Sequence, residues 1–180
     1  MLMNSADSLL LAIDFQSKLA PAIHEGEAAI AAAARLIQIA RLLEVPCLAT
    51  EQYPQGLGHT HADLLPLFQA EEVMAKLAFS AGREKAFCDA VASTGRNQLV
   101  VMGMEAHVCV LQTALIMAEK GYSVFVVADA VGSRDPKNRT LGLERMRAAG
   151  LTIVSSEMVA FEWLARAGTE DFKAALPFIK

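Results

Sequence analysis

The feature that most constrains this chain is a set of short runs that are apolar at nearly every residue. Ser8 to Ile13 (SLLLAI), Val45 to Thr50, Glu72 to Ala75, Asn97 to Met102, Tyr122 to Ala128 and Leu151 to Val154 are of this kind. A strand that faces water on one side alternates apolar and polar residues, whereas a strand covered on both sides has no such need. Between these runs lie longer segments with helical spacing. Glu27 to Leu43 places Ile30, Ala33, Ile37 and Ala40 along one stripe, and Gly82 to Thr94 does the same with Phe87, Ala90 and Val91 before Gly95. Ala106 to Lys120 is apolar almost all round, Asp135-Pro136 reads as an N-cap and first-turn pair for a helix running to Gly150, and a last helical region begins near Ser156 and includes Trp163. Strand and helix alternating with short links predict an α/β fold. It has three layers, α/β/α, with a six-stranded parallel sheet in a Rossmann-like arrangement. No repeat, linker or low-complexity stretch divides residues 1–180, so a single domain is expected.

Composition narrows the function classes. Apolar residues make up 54% and charged residues 20%, which excludes a disordered chain. The formal net charge of −4, with no basic run, argues against nucleic acid and anionic membrane surfaces as partners. The opening MLMNSADSLLLAID lacks the basic n-region, long apolar stretch and cleavage site of a signal peptide. No apolar run approaches the ~20 residues that span a bilayer. Cys47, Cys88 and Cys109 are odd in number and without C-x-x-C spacing, so neither a disulfide framework nor a zinc site is expected, and a cytoplasmic setting fits best. No strand run is followed by a phosphate-cradling glycine pattern, which removes the nucleotide-binding reading.

In open parallel sheets, ligands bind beyond the carboxyl ends of the strands. Three of those ends carry unusual groups: Asp14 after the first run, Lys76 after the third and Cys109 just past the fourth, in GMEAHVCVLQTAL. Singly, each has a bland alternative: a turn aspartate, a solvated lysine, a small core cysteine. Together they fall on one edge of the sheet and have complementary chemistry. The first turn of a helix and a neighbouring ammonium both favour thiolate, a carboxylate can take up the thiol proton, and unpaired helix N–H groups can hold an oxyanion.

LLLAIDFQ, Lys76 in MAKLAFSAG, and VVMGMEAHVCVLQTAL resemble, in order, the three landmarks of the isochorismatase-like cysteine hydrolases. The resemblance implies an Asp14, Lys76 and Cys109 triad. It also implies a non-proline cis peptide before the cysteine, at Met104–Glu105, that aims the Glu105 N–H beside that of Cys109 as an oxyanion hole. An ordinary all-trans loop is the alternative. The Glu105 side chain is expected to point away from that hole, and Gly103 to relieve crowding at the turn. Nicotinamidases of this superfamily carry a metal after the second strand. The corresponding stretch here is Glu51-Gln52-Tyr53-Pro54 with His59 following; Tyr53 stands where the first histidine would be, and His61 and Asp63 lie nearby. A phenol is a poor ligand beside imidazole, so no metal and no cofactor are expected. TEQYPQGLGHT and GMEAHVCV are more similar to a metal-free branch, the isochorismatase domain-containing proteins.

Phe15, Gln52, Tyr53 and Phe79 follow the strand ends and are candidate pocket residues, with core packing the competing reading for the two phenylalanines. A solvent-facing or capping role is favoured for His107, a structural cap for Asp129, and inert packing for Cys47 and Cys88. The expected function is hydrolysis of a small amide or related C–N substrate through a Cys109 thioester, by a homo-oligomer acting on a small molecule. The alternative is a catalytically silent or redox-sensing interaction protein that retains the triad.

Overall fold

A computed structural model describes residues 1–179. Six strands, β1 (Ser8–Ile13), β2 (Cys47–Gln52), β3 (Val73–Lys76), β4 (Gln98–Met104), β5 (Ser123–Gly132) and β6 (Thr152–Val154), form one sheet in the order β3-β2-β1-β4-β5-β6. Every pairing is parallel. The chain builds outward from β1 in one direction, returns, and builds outward from β4 in the other. The neighbours β1 and β4 therefore flank the point where strand order reverses, the place where such sheets open a crevice.

Alternate residues of each strand feed the two faces. Leu10 and Ala12 of β1 pack with Ile30, Ala33, Leu36 and Ile37 of helix α1 (Gly26–Leu42). After the short helix α2 (Pro54–Leu57), helix α3 (Lys85–Ser93) and helix α4 (Leu111–Glu119) lie on the other face, where Leu9, Leu11 and Ile13 of β1 meet Phe87, Val91, Leu111, Ala114 and Met117. Helix α5 (Pro136–Ala148) adds Leu143 and Met146 to that second face. Helix α6 (Ser156–Leu164) and helix α7 (Glu170–Ile179) bring Trp163, Leu164 and Ala175 to the first. The expected three layers and six parallel strands are present. Among the described residues, no helix is long and apolar enough to cross a membrane.

The differences from the sequence reading are local and have physical causes. β2 runs two residues past Thr50 because Glu51 and Gln52 pair with Ala75 and Lys76 of β3. β5 runs four residues past Ala128 because, after a register shift, Val131 and Gly132 rejoin Gly103 and Met104. The expected helix over Ala106 to Lys120 begins as a π-helical turn, Ala106–Val110, before α4.

Candidate active site

β1 ends at Ile13, and Asp14 turns the chain with φ 54°, a left-handed conformation that aspartate enters more readily than most residues. The Gln16 N–H donates to Asp14 O (2.8 Å) and closes that turn. Both carboxylate oxygens of Asp14 then accept from neighbouring strands: Oδ1 from Thr50 Oγ1 at 2.7 Å, Oδ2 from Lys76 Nζ at 2.7 Å. The ammonium also donates to Gln52 Oε1 (2.6 Å), Phe79 O (3.1 Å) and Ala78 O (3.3 Å). The Lys76 and Asp14 side chains are only 2% and 1% exposed, so this ion pair is screened from water. Burial pushes the Asp14 carboxyl above the ordinary aspartate range, while Lys76 and the Thr50 hydroxyl restrain the rise.

The thiol arrives from β4. At Gly103 the strand presses against β1: a Cβ there would stand 2.1 Å from Ile13 O, and φ is 146°, so only glycine is accommodated. The Met104–Glu105 peptide is cis. In the π turn that follows, Val110 N–H reaches back to Glu105 O at 3.3 Å. Cys109, 6% exposed, faces both Asp14 and Lys76. Burial first, and the Asp14 charge second, push its thiol up to about 12, and Lys76 only partly opposes them. Desolvation and the nearby Asp14 thus outweigh the Lys76 ammonium in setting the acidity of this thiol.

Asp14 and Cys109 open into a cavity of about 220 Å³ walled by Leu19, Leu57, Phe79 and Val108. Glu105 and Arg134 form its rim. Burial alone would raise the Glu105 carboxyl. The Arg134 N–H (2.9 Å) and guanidinium (3.1 Å), together with the nearby His107, instead hold it below the ordinary glutamate range. The Glu105 carboxylate is engaged by Arg134, which lines the same cavity.

Of the four candidate pocket residues, Phe79 lines this cavity and is 56% exposed. Gln52 also lines it, but its side-chain amide is engaged with Lys76 and Leu77. Phe15 does not line it: the Asp14 turn sends its ring into the α1 face of the core. Nor does Tyr53, whose left-handed φ of 39° carries it into a neighbouring cleft with Pro54, Leu77 and Glu84. No sequence signal marks Val108, nor Leu19, Leu57 at the end of α2, or Arg134, all of which line the cavity.

The remaining residues fall into structural roles. His107 Nδ1 pairs with Ser133 Oγ at 3.0 Å. Asp129 accepts from Ser156 N–H (2.7 Å) at the start of α6. Cys47 is sealed in the core, its thiol pushed up to about 12 by burial. Glu51, where a metal ligand would stand, has Oε1 engaged by the Thr60 N–H (2.7 Å) and hydroxyl (2.9 Å), and Oε2 by His59 Nδ1 (3.0 Å). His61 pairs instead with Asp63. Glu51 thus has its hydrogen bonds within the protein, while His61 and Asp63 lie apart from it with Glu27, their ligand atoms within 4.8 Å of one another.

Comparison with known proteins agrees with the fold and the order of these elements. Isochorismatase domain-containing protein 1 of Danio rerio is 35% identical over 178 residues, 99% of this chain; the chain spans 62% of that relative's length. The structure called MAR1 ribonuclease from Caenorhabditis elegans superposes with a TM-score of 0.93 at 33% identity, over 99% of this chain and 92% of that one. The YcaC gene product of Escherichia coli, described as an octameric hydrolase of unknown specificity, superposes with a TM-score of 0.92 at 26% identity, over 99% and 89%. Residues 8–158 match the isochorismatase domain, and this chain belongs to that family.

Proposed function

We propose that this chain hydrolyses the C–N bond of a small, neutral amide through a covalent thioester on Cys109. The observation that carries this reading is the buried contact of Lys76 Nζ with Asp14 Oδ2, 2.7 Å, where Asp14 lines the same cavity as Cys109. The sulfur attacks the carbonyl carbon as Asp14 takes the thiol proton, so no free thiolate accumulates. The Glu105 and Cys109 backbone N–H groups hold the tetrahedral oxyanion. Asp14 returns the proton to the departing nitrogen, the C–N bond breaks, and an acyl-Cys109 thioester is left. Asp14 then accepts a proton from water as its oxygen attacks the thioester; the carboxylic acid departs and the proton returns to sulfur. Throughout, Lys76 keeps Asp14 ionised between transfers.

The walls support a neutral, apolar acyl group. Leu19, Leu57, Phe79 and Val108 offer no hydrogen bond from their side chains, and the rim charges Glu105 and Arg134 neutralise each other. A homo-oligomer is part of this reading, supported by the octameric YcaC protein. The residue span 1–180 is read as one hydrolase domain.

The test is intact-mass detection of an acyl adduct after exposure to a mixed set of small aliphatic and aromatic amides. An adduct on the wild type that Cys109→Ala abolishes, with release of the acid and amine in the wild type only, is the expected result. Turnover that survives in Cys109→Ala would sink the mechanism. An RNA-cleavage assay is the matching control, since a net charge of −4 without a basic run is ill suited to a phosphate backbone.

A further inference from the structure

We infer that Gln52 is a positioning residue: its side-chain amide holds the Lys76 ammonium against Asp14, and its neutrality leaves the ammonium charge to Asp14 alone. The inference rests on the role of Asp14 as proton acceptor given above.

Each polar atom of Gln52 has a partner within the protein. Nε2 donates to Leu77 O (2.8 Å) and Oε1 accepts from Lys76 Nζ (2.6 Å). The main-chain N–H donates to Gln16 Oε1 (2.8 Å) and the carbonyl accepts from Gln16 Nε2 (3.0 Å). Gln16 is in turn tied to Gly58 O at 2.6 Å, so the far side of the loop backs the arrangement. The amide cannot be reversed, because its NH₂ faces a carbonyl and its oxygen faces an ammonium. Side by side in register on β2 and β3, Gln52 and Lys76 need no loop to bring them together. The three ammonium protons meet four acceptors, and the two nearest are Gln52 Oε1 and Asp14 Oδ2. What Gln52 supplies is an uncharged acceptor opposite Asp14. A carboxylate in that place would share the ammonium and add a like charge beside the base.

The charged and titratable groups facing this cluster are Asp14, Lys76 and Cys109 within it, Glu105 and Arg134 paired with each other at the rim, and Glu84. Glu84 is held by the Leu77 and Ala78 N–H groups and feels the Lys76 charge.

The test is the pH dependence of Cys109 alkylation by iodoacetamide in the whole chain, followed by peptide mass analysis. It needs no known substrate. The rate climbs as the first proton leaves the Asp14–Cys109 pair, giving an acid limb that belongs to the pair. Gln52→Glu is expected to move that limb upward by about one pH unit. Gln52→Met, which keeps the volume and removes the acceptor, is expected to move it the same way by less, and carries the test if Gln52→Glu does not fold. A limb that stays at the wild-type position, or moves downward, overturns the inference. An acid limb that persists in Asp14→Asn would instead overturn Asp14 as the proton acceptor, so the two failures are distinct.

Discussion

Replacing Lys76 with Met removes the ammonium and keeps most of the side-chain volume. At the 2.7 Å spacing of Lys76 and Asp14, unit charges attract by about 6 kcal/mol at an effective dielectric of ~20. Desolvation of both ions opposes that gain, so the intact pair adds little net stability. Taking away one partner is different: Asp14 stays buried with the Thr50 hydroxyl as its remaining strand-borne donor. Lys76→Met is therefore expected to lose about 3–5 kcal/mol near neutral pH. The double variant Asp14→Asn/Lys76→Met removes both charges and is expected to recover most of the loss, giving a coupling of about 3 kcal/mol in the mutant cycle. The sign with pH follows from the carboxyl. Burial already raises the folded Asp14 pKa, and losing Lys76 raises it further. Folded Lys76→Met then holds a proton that its unfolded chain has released. Its stability falls as pH rises from the ordinary aspartate range through the raised folded value, and its deficit against wild type narrows toward acid. Urea unfolding followed by circular dichroism at about pH 7.5 and about pH 5, with midpoints compared at unchanged slope, reads both effects. A double variant as unstable as the sum of the single ones, or a deficit equal at the two pH values, would refute the reasoning.

Two further outcomes follow from the geometry. Gly103→Ala would place a methyl 2.1 Å from Ile13 O and 2.8 Å from Ile13 Cβ, in a conformation alanine resists; a loss of about 3 kcal/mol or more is expected by thermal or denaturant unfolding, and near-wild-type stability would contradict it. Arg134→Ala frees the Glu105 carboxylate, whose pKa Arg134 helps to depress; the stability gap to wild type is expected in full above the ordinary glutamate range and to close as pH falls through the depressed value, so a melting-temperature difference that widens toward acid would exclude the pairing.

How far the chain could be read in advance depended on whether a feature was local. β1 was legible residue for residue, because a six-residue apolar run closed by aspartate has few other uses. Asp14, Lys76 and Cys109 were legible because parallel topology sends every strand end to one edge. Phe15 and Tyr53 were misplaced because two left-handed residues, Asp14 and Tyr53 itself, redirect the chain by angles that no periodicity records. Arg134 was invisible for another reason. It reaches the cavity only because β5 resumes pairing after its register shift and returns the following loop to Glu105. The raised pKa of the Cys109 thiol was not legible, because it comes chiefly from burial, which only coordinates reveal.

Asp14, Lys76 and Cys109 stand at or just beyond strand ends, while Leu19, Leu57 and Arg134 reach the cavity from outside the sheet ladder. In the proposed reaction, the reacting groups and these three wall residues thus sit on mechanically separate parts. A loop can be lengthened, shortened or recoloured without disturbing the sulfur, so the molecule is a fixed tool with an exchangeable grip.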